Sequence, residues 1–191
     1  MPAVERRQSI LVAAAEVFGE RGYAGATTDA IARVAGISQA YVVRTFGSKE
    51  ALFTATAERV IDRVAAAFRA VIADAGGAGR IEPRLGEAYL RLAEDRGGLV
   101  TLLHLYTLGP HPVIGPVARD GFMRIYAILR DEAGLSAERA TAFLANGMLV
   151  STLLGLRIDT EAHDPAVAEL LRSTFRENTG LVTEIYGTDG R

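Results

Sequence analysis

Apolar side chains recur at every third or fourth position along most of the chain, which is the spacing of one face of an α-helix. No segment shows the strict alternation of apolar and polar residues that a half-buried strand requires. The pattern therefore predicts an all-α fold of about nine helices. Their expected positions are 4–20, a short helix capped by Thr27 or Thr28, a short helix capped by Ser38, 48–73, 82–96, 99–108, 113–133, 137–156 and 165–185.

The first three helices lie within fewer than 50 residues and are joined by tight glycine turns. This arrangement predicts a helix-turn-helix over residues 28–46, because its second and third helices cross steeply and need a short turn that contains glycine. Gly36 supplies that turn, Ile37 packs inward, and Ser38 caps the third helix. Spacing alone is equally typical of an ordinary three-helix bundle with a glycine turn.

The third helix of such a module presents its outer face to the major groove of DNA. Here that face carries Gln39, Ala40, Tyr41 and Arg44. Arginine bonds guanine with two hydrogen bonds, glutamine bonds adenine in the same way, and alanine permits close approach. The N-termini of the second and fourth helices offer free backbone N–H groups to phosphate, and Thr27, Thr28 and Lys49 are placed to add contacts there.

The run TTDAIARVAGISQAYVVRTFGSKEALF, residues 27–53, resembles the DNA-binding module of the tetracycline-repressor (TetR) family. The close match covers residues 8–53 and departs from the family pattern at Val43 and Thr45, where tyrosine and histidine often touch phosphates. The resemblance therefore implies that phosphate contacts shift to Tyr41, Thr45 and Lys49. The predicted DNA-binding residues are Thr27, Thr28, Ser38, Gln39, Ala40, Tyr41, Arg44, Thr45 and Lys49.

The resemblance also implies that the chain has two domains with different functions. Residues 1–47 would form the DNA-binding domain and residues 48–191 a ligand-binding and dimerisation domain, with the helix 48–73 connecting the two. A homodimer would bind a near-palindromic double-stranded operator, most often as a repressor, and a small effector would release it. Effector binding would be coupled to DNA binding by a population shift between two spacings of the DNA-binding heads. The connecting helix would transmit this change.

The last two long helices are largely apolar, and the resemblance implies that they pair with those of a second subunit. The alternative is that they only close the core of the monomer. The predicted interface consists of Phe143, Leu144, Met148, Leu149, Leu153, Leu170, Leu171 and Phe175.

Several polar or polarisable residues lie on otherwise apolar helices, as in a pocket for a mainly apolar ligand. They are Tyr89, His104, Tyr106, Phe122, Met123, Tyr126 and Asn146. Each has an alternative interpretation. His104 is also typical of a hydrogen-bonded core histidine, the tyrosines of core residues, and Asn146 of a hydrogen bond across a dimer.

Other functional classes find little support. The chain has no cysteine, and its three histidines lack metal-ligand spacing. HExxH, a glycine-rich phosphate loop and a serine elbow are all absent. We therefore expect no catalytic residues, no metal and no cofactor; the main alternative is a helical ligand-binding or interaction protein without sequence-specific DNA binding.

Two features bear on location. The segment from Ala140 to Leu156 carries no charge, and we expect it to be a buried helix rather than a membrane span. The N-terminal run MPAVERRQSI lacks the apolar stretch of a secretory signal, so we expect a cytoplasmic protein. Charge is uninformative, because the net value is −2.

Overall fold

Apart from short connecting turns, the described part of the chain is helical. The computed structural model describes residues 3–74, 80–94, 97–158 and 164–175, and this part contains nine α-helices and no strand. The predicted all-α fold is therefore confirmed. The helices are α1 Ala3–Gly25, α2 Thr28–Val34, α3 Gln39–Phe46, α4 Lys49–Ala73, α5 Glu82–Arg91, α6 Gly98–Thr107, α7 Ile114–Ala127, α8 Ala137–Leu156 and α9 Pro165–Phe175.

Helix ends follow local capping chemistry where the sequence supplies it. Thr27 caps α2, its hydroxyl accepting a hydrogen bond from the Ala30 N–H at 3.1 Å. Ser136 caps α8 in the same way, accepting from the Arg139 N–H at 3.2 Å. Within α1 the helical path breaks at Gly22 (φ 65°, ψ 175°), because glycine alone adopts this conformation without strain.

Two helices change into another type of turn before their predicted ends. α5 stops at Arg91 and continues as a 3-10 turn, Leu92–Glu94, before Gly97 starts α6 with φ 77°. α7 changes into a π-helical turn, Ile128–Glu132. The predicted end of the last helix at residue 185 lies outside the described residues.

The chain packs as two compact units, Met1–Arg63 with Asp95–Met123 and Val64–Glu94 with Arg124–Arg191. The first contains α1 to α3, the start of α4, α6 and the start of α7. Its core contains fully buried side chains. Among them, the Phe18 and Phe53 rings pack edge-on with their centroids 4.8 Å apart. The packing division falls within α4, between Arg63 and Val64, and not between residues 47 and 48. The predicted functional boundary between residues 47 and 48 stays a prediction.

The second unit holds the rest of α4 and α7 together with α5, α8 and α9. The Phe68 ring packs edge-on against Phe143 at 5.7 Å. One cluster within its core consists of Leu90, Val150, Leu153, Leu171 and Phe175.

Helix α8 is less covered than the sequence analysis expected. It is long and apolar enough to cross a membrane by length and composition, a test that core helices of soluble proteins also pass, and 22% of its most apolar stretch is buried. Met148, Leu149 and Leu156 are 42%, 37% and 64% exposed. The expectation of a buried helix therefore holds for only one face within this chain, because α8 has apolar side chains on more than one face and its own chain covers one side.

Candidate nucleic-acid interface

The turn between α2 and α3 has the geometry that its glycine predicts. Gly36 adopts φ 66°, and a β-carbon there would meet no atom within 4 Å, so conformation rather than space selects glycine. The Ile37 N–H returns to the Ala32 carbonyl at 3.0 Å. Ser38 then caps α3 by accepting a hydrogen bond from the Tyr41 N–H at 3.3 Å. The turn thus ends one helix and starts the next within four residues.

Helix α3 buries one residue and exposes most of the others. Val42 is completely buried, whereas Gln39, Ala40 and Arg44 are exposed and Tyr41 is half-buried. The face predicted to read DNA is therefore open to solvent in this chain. Val43, at a position where the resembling family often has a phosphate-binding tyrosine, is also exposed, at 43%.

Polar contacts hold this face in place. The Gln39 side-chain amide donates a hydrogen bond to the Thr28 hydroxyl at 3.0 Å and so connects α3 to the first turn of α2. The Thr45 hydroxyl donates to the Tyr41 carbonyl at 2.8 Å, so its proton is already engaged. Arg44 lies over the Tyr41 ring, 4.8 Å from the ring centroid, which places its guanidinium at the exposed side of the helix.

Lys49 has a structural role that the sequence analysis missed. Its ammonium donates to the carbonyls of Tyr23, Ala26 and Ala24 at 2.9, 3.2 and 3.4 Å, and it lies 4.7 Å from the Tyr23 ring centroid. An ammonium has three N–H donors, and this arrangement uses all of them at the C-terminal end of α1. A phosphate contact by Lys49 would require it to leave these carbonyls.

Two basic residues outside the predicted set also lie beside α3. The Arg6 guanidinium is 5.4 Å from the Tyr41 ring centroid, and that of Arg7 is 4.8 Å from the Phe46 ring centroid. No local signal could have found them, because each ring is more than 30 residues away along the chain.

The predicted ligand-binding residues divide between the two compact units. His104, Tyr106, Phe122 and Met123 belong to the first unit, and Tyr89, Tyr126 and Asn146 to the second. In the first unit the His104 ring lies 3.4 Å from the Gly19 carbonyl and packs beside Gly22, as the core-histidine alternative expects. Tyr106 and Phe122 meet edge-on at 5.4 Å, and Met123 is 55% exposed.

Tyr89 and Asn146 line a small cleft in the second unit together with Phe143, Val150 and Phe175. Its volume is about 30 Å³, enough for one or two waters. The Tyr89 hydroxyl is 2.8 Å from the Ser151 hydroxyl, and burial raises the pKa of Tyr89 although this hydrogen bond partly opposes the shift. Tyr89 therefore stays a neutral phenol, while Tyr126 is half-buried elsewhere in the unit.

The predicted dimer residues also fall into two groups. Leu153, Leu171 and Phe175 are 1%, 8% and 3% exposed, so they belong to the core of their own chain and offer almost no surface to a partner. This corrects the prediction for these three residues, whose side of each helix the apolar pattern did not specify. The others remain accessible, wholly or in part: Phe143, Leu144, Met148, Leu149 and Leu170.

Metal-binding chemistry is not assembled in the described ranges, which contain no group of three or more histidine or carboxylate residues placed to hold an ion. Glu82 has a carboxylate with a shifted pKa, and this carboxylate pairs with Arg139 on α8. Burial alone would raise the pKa of Glu82, but hydrogen bonds from Arg139 and Arg80 and the Arg139 charge hold it below its usual value.

Comparison with known proteins points to one family. Residues 10–56 match the family model described as bacterial regulatory proteins, tetR family. A stretch of 69 residues is 41% identical to the HTH-type transcriptional activator FasR of Mycolicibacterium smegmatis, and this covers 36% of the chain and 32% of that relative. The chain thus matches about a third of the relative's length.

Solved structures extend the likeness to the whole fold. A TetR-like transcriptional regulator from Rhodococcus sp. RHA1 superposes with a TM-score of 0.60 at 26% identity, over 95% of this chain and 98% of that chain. A member of the TetR family from Streptomyces coelicolor A3 gives a TM-score of 0.63 at 23% identity, over 89% and 98%. These likenesses include both compact units, not only the helix-turn-helix.

Proposed function

Because the chain belongs to the tetR family of bacterial regulatory proteins, we propose that it is a cytoplasmic transcription regulator that reads operator DNA with α3. The observation that carries the proposal is the open outer face of α3, held away from the core by the left-handed turn at Gly36. In this role α3 enters the major groove, while the N-terminus of α2 meets the phosphate backbone.

Base reading is assigned to two side chains of α3. Arg44 suits a guanine, whose O6 and N7 accept two hydrogen bonds from one guanidinium, and Gln39 suits an adenine. The Gln39 amide is already oriented by its hydrogen bond to Thr28, so less side-chain entropy is lost on binding. Ala40 keeps the helix close to the bases, and Thr27, Thr28, Ser38 and Tyr41 lie where they can contact the backbone.

We further propose that the regulator acts as a homodimer through the exposed apolar face of α8 and α9. Met148, Leu149 and Leu156 on α8 and Leu170 on α9 are each more than a third exposed. Several large apolar side chains exposed on two helices favour an interaction site, because leaving them in water is unfavourable. Two copies related by a two-fold axis would present two α3 helices to a near-palindromic operator.

A small, mainly apolar effector is proposed to bind in the second unit near Tyr89 and Asn146. The cleft there has the apolar lining and few polar groups typical of a ligand site. At about 30 Å³ it is far below the roughly 300 Å³ of a ligand pocket, so binding requires it to open. A ligand that binds the opened state more tightly shifts the population toward that state. α4 contributes residues to both units and is proposed to transmit the change to the DNA-binding helices.

Repression is the proposed sign of regulation, with the effector releasing the operator. The activator name of the matched relative makes the opposite sign the specific alternative. A transcriptional reporter under the selected operator separates them: deleting the regulator raises expression under repression and lowers it under activation.

Selection of bound sequences from random double-stranded DNA, at a stated salt concentration, tests the central proposal. We expect an inverted repeat whose half-sites have centres separated by about one helical turn, roughly 10 base pairs, or a multiple of it. Failure to enrich any sequence would instead favour a helical ligand-binding or interaction protein that does not recognise DNA.

A further inference from the structure

Three arginine side chains converge on the aromatic residues of α3, and two of them come from α1. Arg6 and Arg44 both lie over the Tyr41 ring, at 5.4 and 4.8 Å from its centroid, and Arg7 lies 4.8 Å from the Phe46 centroid. Such cation–π contacts are attractive at exposed sites and orient the guanidinium over the ring. The first turns of α1 therefore lie alongside the helix proposed to read DNA.

Among the described residues, none of these three positive charges has an acidic partner. Within the parts of the chain that the structure describes, no carboxylate lies within 4.0 Å of their guanidinium groups. By contrast, Arg21 and Arg33 pair with Glu20 and Asp29 at 3.5 and 2.6 Å. Helix α3 contains no acid, and the first turns of α1 contain only Glu5. The surface formed by Arg6, Arg7 and Arg44 therefore carries excess positive charge.

The guanidinium groups of α1 also keep their hydrogen-bonding capacity. A cation–π contact consumes no N–H donor, and each guanidinium has five donors in a fork that fits a phosphate. Among the described residues, neither the Arg6 nor the Arg7 guanidinium donates a hydrogen bond to the protein. Both are thus oriented by aromatic rings yet ready to bind an anion.

We propose that Arg6 and Arg7 bind backbone phosphates of the operator beside the half-site entered by α3. This inference rests on the proposed function and adds α1 as a DNA-contacting helix. When α3 lies in the major groove, an adjacent helix faces the strand that borders the groove rather than the bases. Arg6 and Arg7 therefore supply affinity that does not depend on sequence, whereas Arg44 supplies base preference.

The test measures fluorescence anisotropy of the selected operator with the full chain, over a series of salt concentrations. The variants are Arg6→Gln, Arg7→Gln, their combination, and the matching lysine substitutions. The control is Arg21→Gln, which removes the same charge from α1 at a site 15 residues from Arg6, or about 22 Å along a helix axis. Thermal unfolding of each variant confirms that the fold is kept.

We expect the double glutamine variant to weaken binding to every sequence by the same factor, with the ranking of bases unchanged. The slope of log affinity against log salt should become shallower by about one for each lost phosphate contact. The lysine variants should retain most of the slope, because they keep the charge, and Arg21→Gln should match the wild type.

Three outcomes would overturn the inference. The first is an unchanged salt slope in the double variant, and the second is an equal loss in the lysine and glutamine variants, which would assign the arginines to stacking alone. The third is a changed ranking of bases, which would mean that they orient α3. Absence of DNA binding by the wild type would instead remove the proposed function itself.

Discussion

Gly19 of α1 and Gly97 at the start of α6 approach so closely that neither tolerates a side chain. A β-carbon on Gly19 would lie 2.6 Å from the Gly97 α-carbon and 2.7 Å from its carbonyl oxygen. Close by, the buried Thr101 hydroxyl donates a hydrogen bond to the Ala15 carbonyl at 3.1 Å. α6 is therefore attached directly to α1, the helix whose other end carries Arg6 and Arg7.

Replacing Gly19 with alanine should destabilise the protein. The new methyl group meets backbone atoms that cannot rotate away, and overpacking of this kind costs about 1–3 kcal/mol. The measurement is urea-induced unfolding at fixed protein concentration, because the proposed dimerisation would contribute to the measured stability. Gly25→Ala is the matched control, since a β-carbon there meets only the Arg21 side chain at an ordinary 3.5 Å. Equal stability of the two variants would contradict the close approach.

Arg44→Ala should weaken operator binding by about 1–3 kcal/mol and relax the preference at one base position. The reason is the loss of both hydrogen bonds to a guanine. Binding to the operator and to versions with each base changed measures both effects. Arg33→Ala is the control, because Arg33 is also exposed but pairs with Asp29 at 2.6 Å on α2. Uniform weakening on all sequences would show that Arg44 contacts phosphate instead.

Lys49→Gln should lower the free energy of unfolding by about 1–3 kcal/mol, because hydrogen bonds from a charged donor to the carbonyls of Tyr23, Ala24 and Ala26 are lost. The salt dependence of DNA binding should stay near that of the wild type. Arg21→Gln removes an equal charge from an exposed ion pair and should leave stability within about 0.5 kcal/mol. A shallower salt slope with unchanged stability would restore Lys49 as a phosphate contact.

Stability should fall in acid partly because Glu82 becomes protonated. Since its folded-state pKa lies below its usual value, its contribution is fully present above the unfolded pKa of about 4.3 and is lost as pH falls through the folded pKa. Arg139→Gln removes the bonded partner and should flatten this acid limb in unfolding measured from pH 7 down to the acid range. Arg84→Gln, which breaks an exposed pair with Asp74, should leave its shape unchanged. Parallel curves of stability against pH for all three proteins would exclude Glu82 as a cause of the acid sensitivity.

Local features of the fold were predictable from neighbouring residues. α8 begins at Ala137 and ends at Leu156 as expected, because Ser136 supplies a cap and the turn at Arg157 closes the helix. The Gly36 turn and the exposed face of α3 also follow from residues within one helix of each other. The end of α5 was misplaced, since the 3-10 turn at Leu92 to Glu94 has no signal in helical periodicity.

The amino-acid sequence by itself determined the helices, the turn at Gly36 and the side chains that α3 offers, because capping, periodicity and backbone preference act between near neighbours. Tertiary structure alone decided that Lys49 closes α1, that Arg6 and Arg7 lie over Tyr41 and Phe46, and that Leu153 is buried while Met148 is exposed. The physical reason is distance along the chain, because the residues next to an ammonium, a ring or an apolar face do not specify which remote segment will pack against it.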